Sequence, residues 1–406
     1  MRLDGVRGSA MHLTYCTNVH PGESWPELRA TIARHLPTVK RRISPTSPMG
    51  VGLRVSAAAA HVLAEEPDAL AWLRDFLATE DLYVFTINGF PYGPFHGERV
   101  KQAVYQPDWR RPTRLAYTNR LADLLARLLP DGAAGSISTV PGGFRDLAGS
   151  GQAASEIADM LLRHVVHLVQ LRERTGQTIA LALEPEPMCL LETVEEAARF
   201  FEEHLLSRSA CARLSELTGL TVPAAEDAAR RHLGLCYDVC HAAVEFEDAA
   251  ASLARLRRSG ILIPKLQLSS ALRVPRVDAE AVQRLRSFED GVYLHQVVER
   301  RADGRLIRYL DLADAFTAFT QEGPAKETRE WRVHFHVPVF REDAGDFATT
   351  QGFLRKMLAL HRREPVSPHL EVETYTWGVL PPGLREMEVD EAIAREMDWV
   401  LEQMRA

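Results

Sequence analysis

Apolar residues along the chain follow two rhythms that alternate from end to end. Runs rich in β-branched and aromatic residues read as short strands: HLTYCTNVH (12–20), MGVGLRV (49–55), LYVFTING (82–89), GSISTV (135–140), TIALALE (178–184), LGLCYDV (233–239), ILIPKLQLS (261–269) and HLEVETYTW (369–377). Between them, stretches such as ESWPELRATIARHLPTVKRRI, SEIADMLLRHVVHLVQLRER and DEAIAREMDWVLEQM place apolar residues three and four apart, the stripe of a helix packed on a sheet. Eight strand-then-helix units predict an α/β fold of (β/α)8 barrel type, because helical crossovers let parallel strands pair and cover the sheet. A doubly wound open sheet is the alternative, and the lack of G-x-G-x-x-G after the first strand weighs against it.

Two stretches exceed what a minimal barrel needs. Residues 90–113 form a long loop after strand three, and residues 271–368 form an insertion between strands seven and eight. Within the insertion, GVYLHQVVERRADGRLIRYLDL reads as a hairpin around ADG, and EWRVHFHVPVF reads as one further strand. That is too little for a separate core, so the insertion is expected to fold over the barrel mouth, where barrels carry their functional loops. The domain is expected to span 11–406, with residues 1–10 as an extension to which no function is given.

Composition changes the picture by exclusion. The chain has 406 residues, 46% of them hydrophobic, and a net charge of only -7. It can bury a large core, and it has no basic surface suited to nucleic acid. The N-terminal stretch lacks a signal-peptide core, and no run approaches the roughly 18 apolar residues of a membrane span. A cytoplasmic protein with a small-molecule partner is expected. Five cysteines (16, 189, 211, 236, 240) without a C-x-x-C pair argue against a disulfide framework.

The chemistry stands at the strand ends: ALEPEP (Glu184, Glu186), CYDVCH (Asp238, His241), KLQLSS (Lys265, Gln267) and LEVETYTW (Glu371, Glu373). Side chains alternate along a strand, so each glutamate pair shares a face, and those faces converge on one mouth. Carboxylates crowded in a partly dry pocket are relieved by protonation or, more simply, by one divalent cation. Oxygen ligands with one imidazole or amide suit Mn²⁺, Mg²⁺, Co²⁺, Fe²⁺ or Zn²⁺ alike. Asp238 would be a ligand, with His241 reaching back as a second ligand or as a partner to one, and Cys236 would be a small core residue one layer deeper. HFHVP places His334 and His336 on one face. His20 and Asn18 end strand one, while Asn88, Tyr92, His96 and Lys101 stand in the loop after strand three, with Trp377 after strand eight.

The order of these motifs resembles the xylose-isomerase-like barrels. Within them MHLTYCTNVHPGESW, YVFTINGFPYGPFHG, LEPEPMCLLET, YDVCHAAVEFED, KLQLSSAL, YLHQVV and HFHVPVF are similar to the EboE family of bacterial metabolite traffic proteins. The resemblance implies Glu184, Asp238 and Glu371 as metal ligands. Strand seven has Gln267 where sugar epimerases of this group carry a histidine. The fourth ligand is then Gln267 or a histidine of the insertion, with His336 preferred to His334. Glu186 and Glu373 become the acid-base pair with His241 beside them, and His20, Asn88, His96, Lys265, Gln267, His334 and Trp377 become candidate substrate contacts. The expected activity is a metal-dependent isomerase or epimerase acting on a polyol or cyclitol-like molecule in secondary metabolism. A non-catalytic carrier and a metal-dependent hydrolase are the alternatives.

Overall fold

The computed structural model describes residues 1–4, 10–97, 99–145, 151–322 and 328–405. Eight parallel strands form the barrel: β1 (Ala10–Tyr15), β2 (Met49–Arg54), β3 (Leu82–Asn88), β4 (Gly135–Thr139), β5 (Ile179–Leu183), β6 (Leu233–Asp238), β7 (Leu262–Leu268) and β8 (His369–Val372). Neighbouring ladders run from β2 through β7 and β8 back to β1. The last gap, between β1 and β2, is closed by a single bridge from Cys16 to Gly52 and by a side chain. The Thr14 hydroxyl accepts from Gly52 N–H and donates to Gly50 C=O, both at 2.9 Å. The fold is therefore a (β/α)8 barrel with an insertion between strands seven and eight.

Helices begin where the sequence provides caps. Ser24 and Glu27 form a capping box at the start of Trp25–Ile43, and Thr193 and Glu196 form another at Val194–Phe200. Helices Trp25–Ile43, Gly151–Thr175 and Val389–Arg405 turn apolar stripes onto the barrel, within one contiguous apolar cluster that joins strands and helices. No helix among the described residues is long and apolar enough to cross a membrane.

The barrel interior is unusually polar. Near its N-terminal end the rings of His12 and Phe85 meet that of His369, whose Nδ1 is 2.8 Å from Ser136 Oγ. One layer higher, Lys265 and Glu371 face each other, and Gly52 makes room for the carboxylate. A Cβ at position 52 would sit 1.8 Å from Glu371 Oε1.

The insertion is richer than its sequence suggests. The ADG hairpin forms as Val297–Arg300 with Leu306–Tyr309, but it belongs to a six-stranded antiparallel sheet that also takes in Glu330–Val333, Leu272–Val274, Phe347–Thr349 and Asp343–Ala344. This sheet has an apolar cluster of its own around Trp331, Phe335, Phe288, Phe316 and Trp377. Arg308 ties it to the barrel loops through Glu245 and through Glu192 at 3.2 Å. Strand Glu330–Val333 ends before His334, where Phe335 N–H bonds back to Val333 C=O at 2.8 Å, and HFHVP continues as irregular backbone that brings His334 to the mouth.

Candidate active site

Three carboxylates meet where the barrel strands end. Glu184 follows β5, Asp238 ends β6 and Glu373 follows β8, and one oxygen of each lies within 4.8 Å of the others, all buried. Asp238 Oδ1 caps the helix Val239–Val244 by accepting from His241 N–H at 3.0 Å, and it also takes the Ser269 hydroxyl at 2.7 Å. Its other oxygen, Oδ2, has no hydrogen-bond partner, and neither has Glu184 Oε2. Glu373 Oε1 accepts the amides of Asn18 (2.7 Å) and Asn88 (3.0 Å).

Crowding shows in the protonation of the group. Burial, then Glu373 and Asp238, hold Glu184 well above the ordinary carboxylate range. Burial, Asp238 and Glu371 raise Glu373 to about 7, against the opposing influence of Gln267 and Lys265. Buried like charges with orphaned oxygens are what a divalent cation relieves, so the residues present fit such an ion.

Glu371 lies deeper. Its Oε2 is 2.5 Å from Lys265 Nζ, with both side chains fully buried, and Lys265 also donates to Ser138 Oγ at 3.2 Å. Glu373, two residues further along the strand, joins Glu184 and Asp238, while Glu371, expected as a ligand, faces a lysine. The pleat places residues 371 and 373 on one face, but only the closed barrel brings Lys265 against the deeper of the two.

Glu186 stands beside the three carboxylates. Its Oε1 accepts Tyr105 O–H at 2.6 Å and Gln296 Nε2–H at 3.1 Å. Burial raises its pKa in spite of His241, Tyr105 and Gln296. His241, His334 and His336 crowd the same corner, with His334 Nε2 at 3.1 Å from His241 Nε2 and 3.2 Å from His336 Nε2.

A cleft opens over these groups. Asn18, Asn88, Glu184, Glu186, His241, His334 and Glu373 give it a polar floor, and Phe90, Val100, Val104, Tyr105 and Leu294 wall it. Phe95, Tyr293 and Tyr375, from three separate segments, complete the wall with ring centroids 5.0 to 5.3 Å apart.

Of the candidate substrate contacts, Asn88 and His334 line this cleft. The others are engaged elsewhere. His20 stacks on His35 at 4.0 Å and bonds Tyr15 O–H at 3.2 Å. His96 spans the Asn18 carbonyl (2.6 Å) and the Tyr293 hydroxyl (2.9 Å), bracing the long loop against the insertion. Trp377 packs in the insertion's apolar cluster. Lys265 and Gln267 are buried below the floor, Gln267 in register with both Asp238 and Glu371.

Tyr105, Gln296, Tyr293 and Ser269 are site residues that the sequence did not single out. Only Gln296 leaves a trace, as a polar residue in the apolar run YLHQVV.

No family model matches the chain, and no curated protein does. Its fold is similar to that of the probable 3-DHS dehydratase AsbF involved in petrobactin synthesis from Bacillus anthracis, at 12% identity over 96% of this chain and 99% of that one, TM-score 0.43. It is also similar to the IolI protein with a bound zinc atom, at 13% identity over 97% and 98%, TM-score 0.39. A xylose isomerase-like TIM barrel protein from Mycobacterium smegmatis in complex with magnesium aligns at 12% identity over 97% and 96%, TM-score 0.49. These are likenesses of fold.

Proposed function

We propose that this protein is a metal-dependent enzyme that moves a proton on a small hydroxylated molecule of polyol or cyclitol type, at a carbon next to a carbonyl. The observation that carries the reading is Glu186: a buried carboxylate with a raised pKa, on the floor of the cleft, beside the Glu184, Asp238 and Glu373 group without belonging to it. A divalent ion held by those three would polarise a substrate oxygen and acidify the neighbouring C–H. Glu186 is the base. Tyr105 and Gln296 both bond to Oε1, which fixes the carboxylate's orientation and leaves Oε2 outside those bonds for the proton. A carboxylate with a raised pKa is the stronger base once ionised, which suits it to take a proton from carbon.

Asn18 and Asn88 hold Glu373 in place, and the aromatic wall keeps water from the reacting carbon. Glu373 takes the ligand role expected of Glu371, whose charge is committed to Lys265. The likeness of LEPEPMCLLET and YDVCHAAVEFED to EboE proteins supports a secondary-metabolite substrate.

The test is solvent exchange. Metal-loaded protein incubated in D₂O with a panel of ketoses, inososes and related cyclitols should place deuterium next to the carbonyl of at least one member. Glu186→Gln should stop the exchange and keep its metal. A panel member that binds tightly but never exchanges would make the protein a carrier, and parental exchange by Glu186→Gln would remove the base from its role.

A further inference from the structure

The three histidines at the mouth carry a feature that the carboxylate group does not explain. Each Nδ1 faces an oxygen that can only accept. His241 Nδ1 is 2.9 Å from Pro185 C=O, and His336 Nδ1 is 2.8 Å from Glu373 C=O. His334 Nδ1 is 2.8 Å from Gln296 Oε1, and that amide's orientation is fixed because its Nε2 serves Glu186 Oε1 and Pro187 C=O. All three rings are therefore Nδ1–H tautomers, and in their neutral form each presents a lone pair at Nε2, that of His334 also 3.4 Å from the Tyr375 hydroxyl.

Those lone pairs point at one another. Nε2 of His334 lies 3.1 Å from that of His241 and 3.2 Å from that of His336, all in rings buried from solvent. Two nitrogens bound to one tetrahedral zinc at about 2.0–2.1 Å stand ~3.3 Å apart, so the two spacings from His334 match shared coordination. A fourth donor is at hand. The unpartnered Asp238 Oδ2 is 3.9 Å from His241 Nε2, and Asp238 groups with His241 and His336 as well as with Glu184 and Glu373. Backbone and amide oxygens behind each ring are the outer partners that orient metal-binding histidines.

We propose that His241, His334 and His336 bind a second divalent transition ion of zinc type, with Asp238 shared between this position and the carboxylate one. The centre is then dinuclear, with one nitrogen-rich and one oxygen-rich position. The histidine position is contributed by both parts of the fold, His241 from the barrel and the other two from the insertion. This goes beyond the proton-transfer reading above and stands or falls separately from it.

Metal-free protein is reloaded with Zn²⁺ alone and its ions counted. Two per chain are expected for the parent. His334→Ala and His336→Gln should each keep one, and Glu373→Gln should keep the other. Cobalt loading identifies which, since the visible bands of the nitrogen-rich ion should survive in Glu373→Gln and vanish in His334→Ala. In the unmutated protein, imidazole ¹⁵N spectra should show three Nε2 signals moving on zinc addition, a readout independent of whether any variant folds. A parent with one ion, lost in Glu373→Gln and kept in both histidine variants, with the Nε2 signals unmoved, overturns the second site and leaves the proposed function intact. One ion lost in the histidine variants alone upholds this site and removes the carboxylate one. Stationary Nε2 signals and no bound ion overturn both.

Discussion

Lys265 and Glu371 form an ion pair at 2.5 Å inside the barrel, with no exposure of either side chain to solvent. Breaking such a pair strands one charge in a medium that cannot solvate it, at a cost of about 3–5 kcal/mol. Glu371→Gln and Lys265→Met should each lower stability by that order. Lys265→Met combined with Glu371→Leu should recover a substantial part, because no charge is left behind. Urea unfolding of the four proteins checks this; additive losses would show that the two side chains do not act as a unit. Folded Glu371→Gln should also keep its metal.

The pH dependence of stability should carry the mark of Glu396. Burial raises its pKa to about 7, against the Thr374 hydroxyl and the Val339 N–H that bond to it. The folded state therefore holds this proton more tightly than the unfolded chain does. The stability it contributes is complete below the ordinary value of 4.5 and is lost as pH rises through about 7. Glu396→Gln, uncharged throughout, should flatten that fall by on the order of 2–3 kcal/mol. Urea midpoints of parent and variant at pH 5, 6, 7 and 8 decide it, and parallel curves would be the contrary result.

Cysteine chemistry should be silent. Cys236 and Cys240 are fully buried free thiols, and burial, with nearby carboxylates, pushes both well above the ordinary thiol range. Cys240 sulfur lies within 4.8 Å of ligand atoms of His334 and His336, so it is the alternative ligand to test. Replacing both cysteines by alanine should cost about 1–3 kcal/mol and leave the bound ions unchanged. A near-ultraviolet thiolate-to-cobalt band in the parent, absent from the variant, would place sulfur on the metal.

The barrel was legible because eight apolar runs separated by amphipathic helices admit few other packings. Strand limits were less so. β1 and β8 stop at Tyr15 and Val372, short of His20 and Trp377, because Thr17–Val19 and Tyr375–Val379 wind into tight helical turns whose residues also look β-like. In the insertion, strands of two or three residues are too short to show alternation, so half of the second sheet left no pattern. The carboxylates and histidines could be found as residue types, but their partners could not. Tyr105 and Gln296 reach Glu186 from 81 and 110 residues away, and no local signal spans such distances.

Gly52 gives the buried ion pair a third participant that has no functional group. Its missing side chain is the volume in which the Glu371 carboxylate stands, since even a methyl group there would come within 1.8 Å of Oε1. Any larger residue must push that carboxylate off Lys265 or pry open the β1 to β2 seam that Gly52 also closes. The charge balance of the interior therefore depends on a hydrogen atom two strands away from the acid, and position 52 should tolerate substitution as poorly as the charged residues it accommodates.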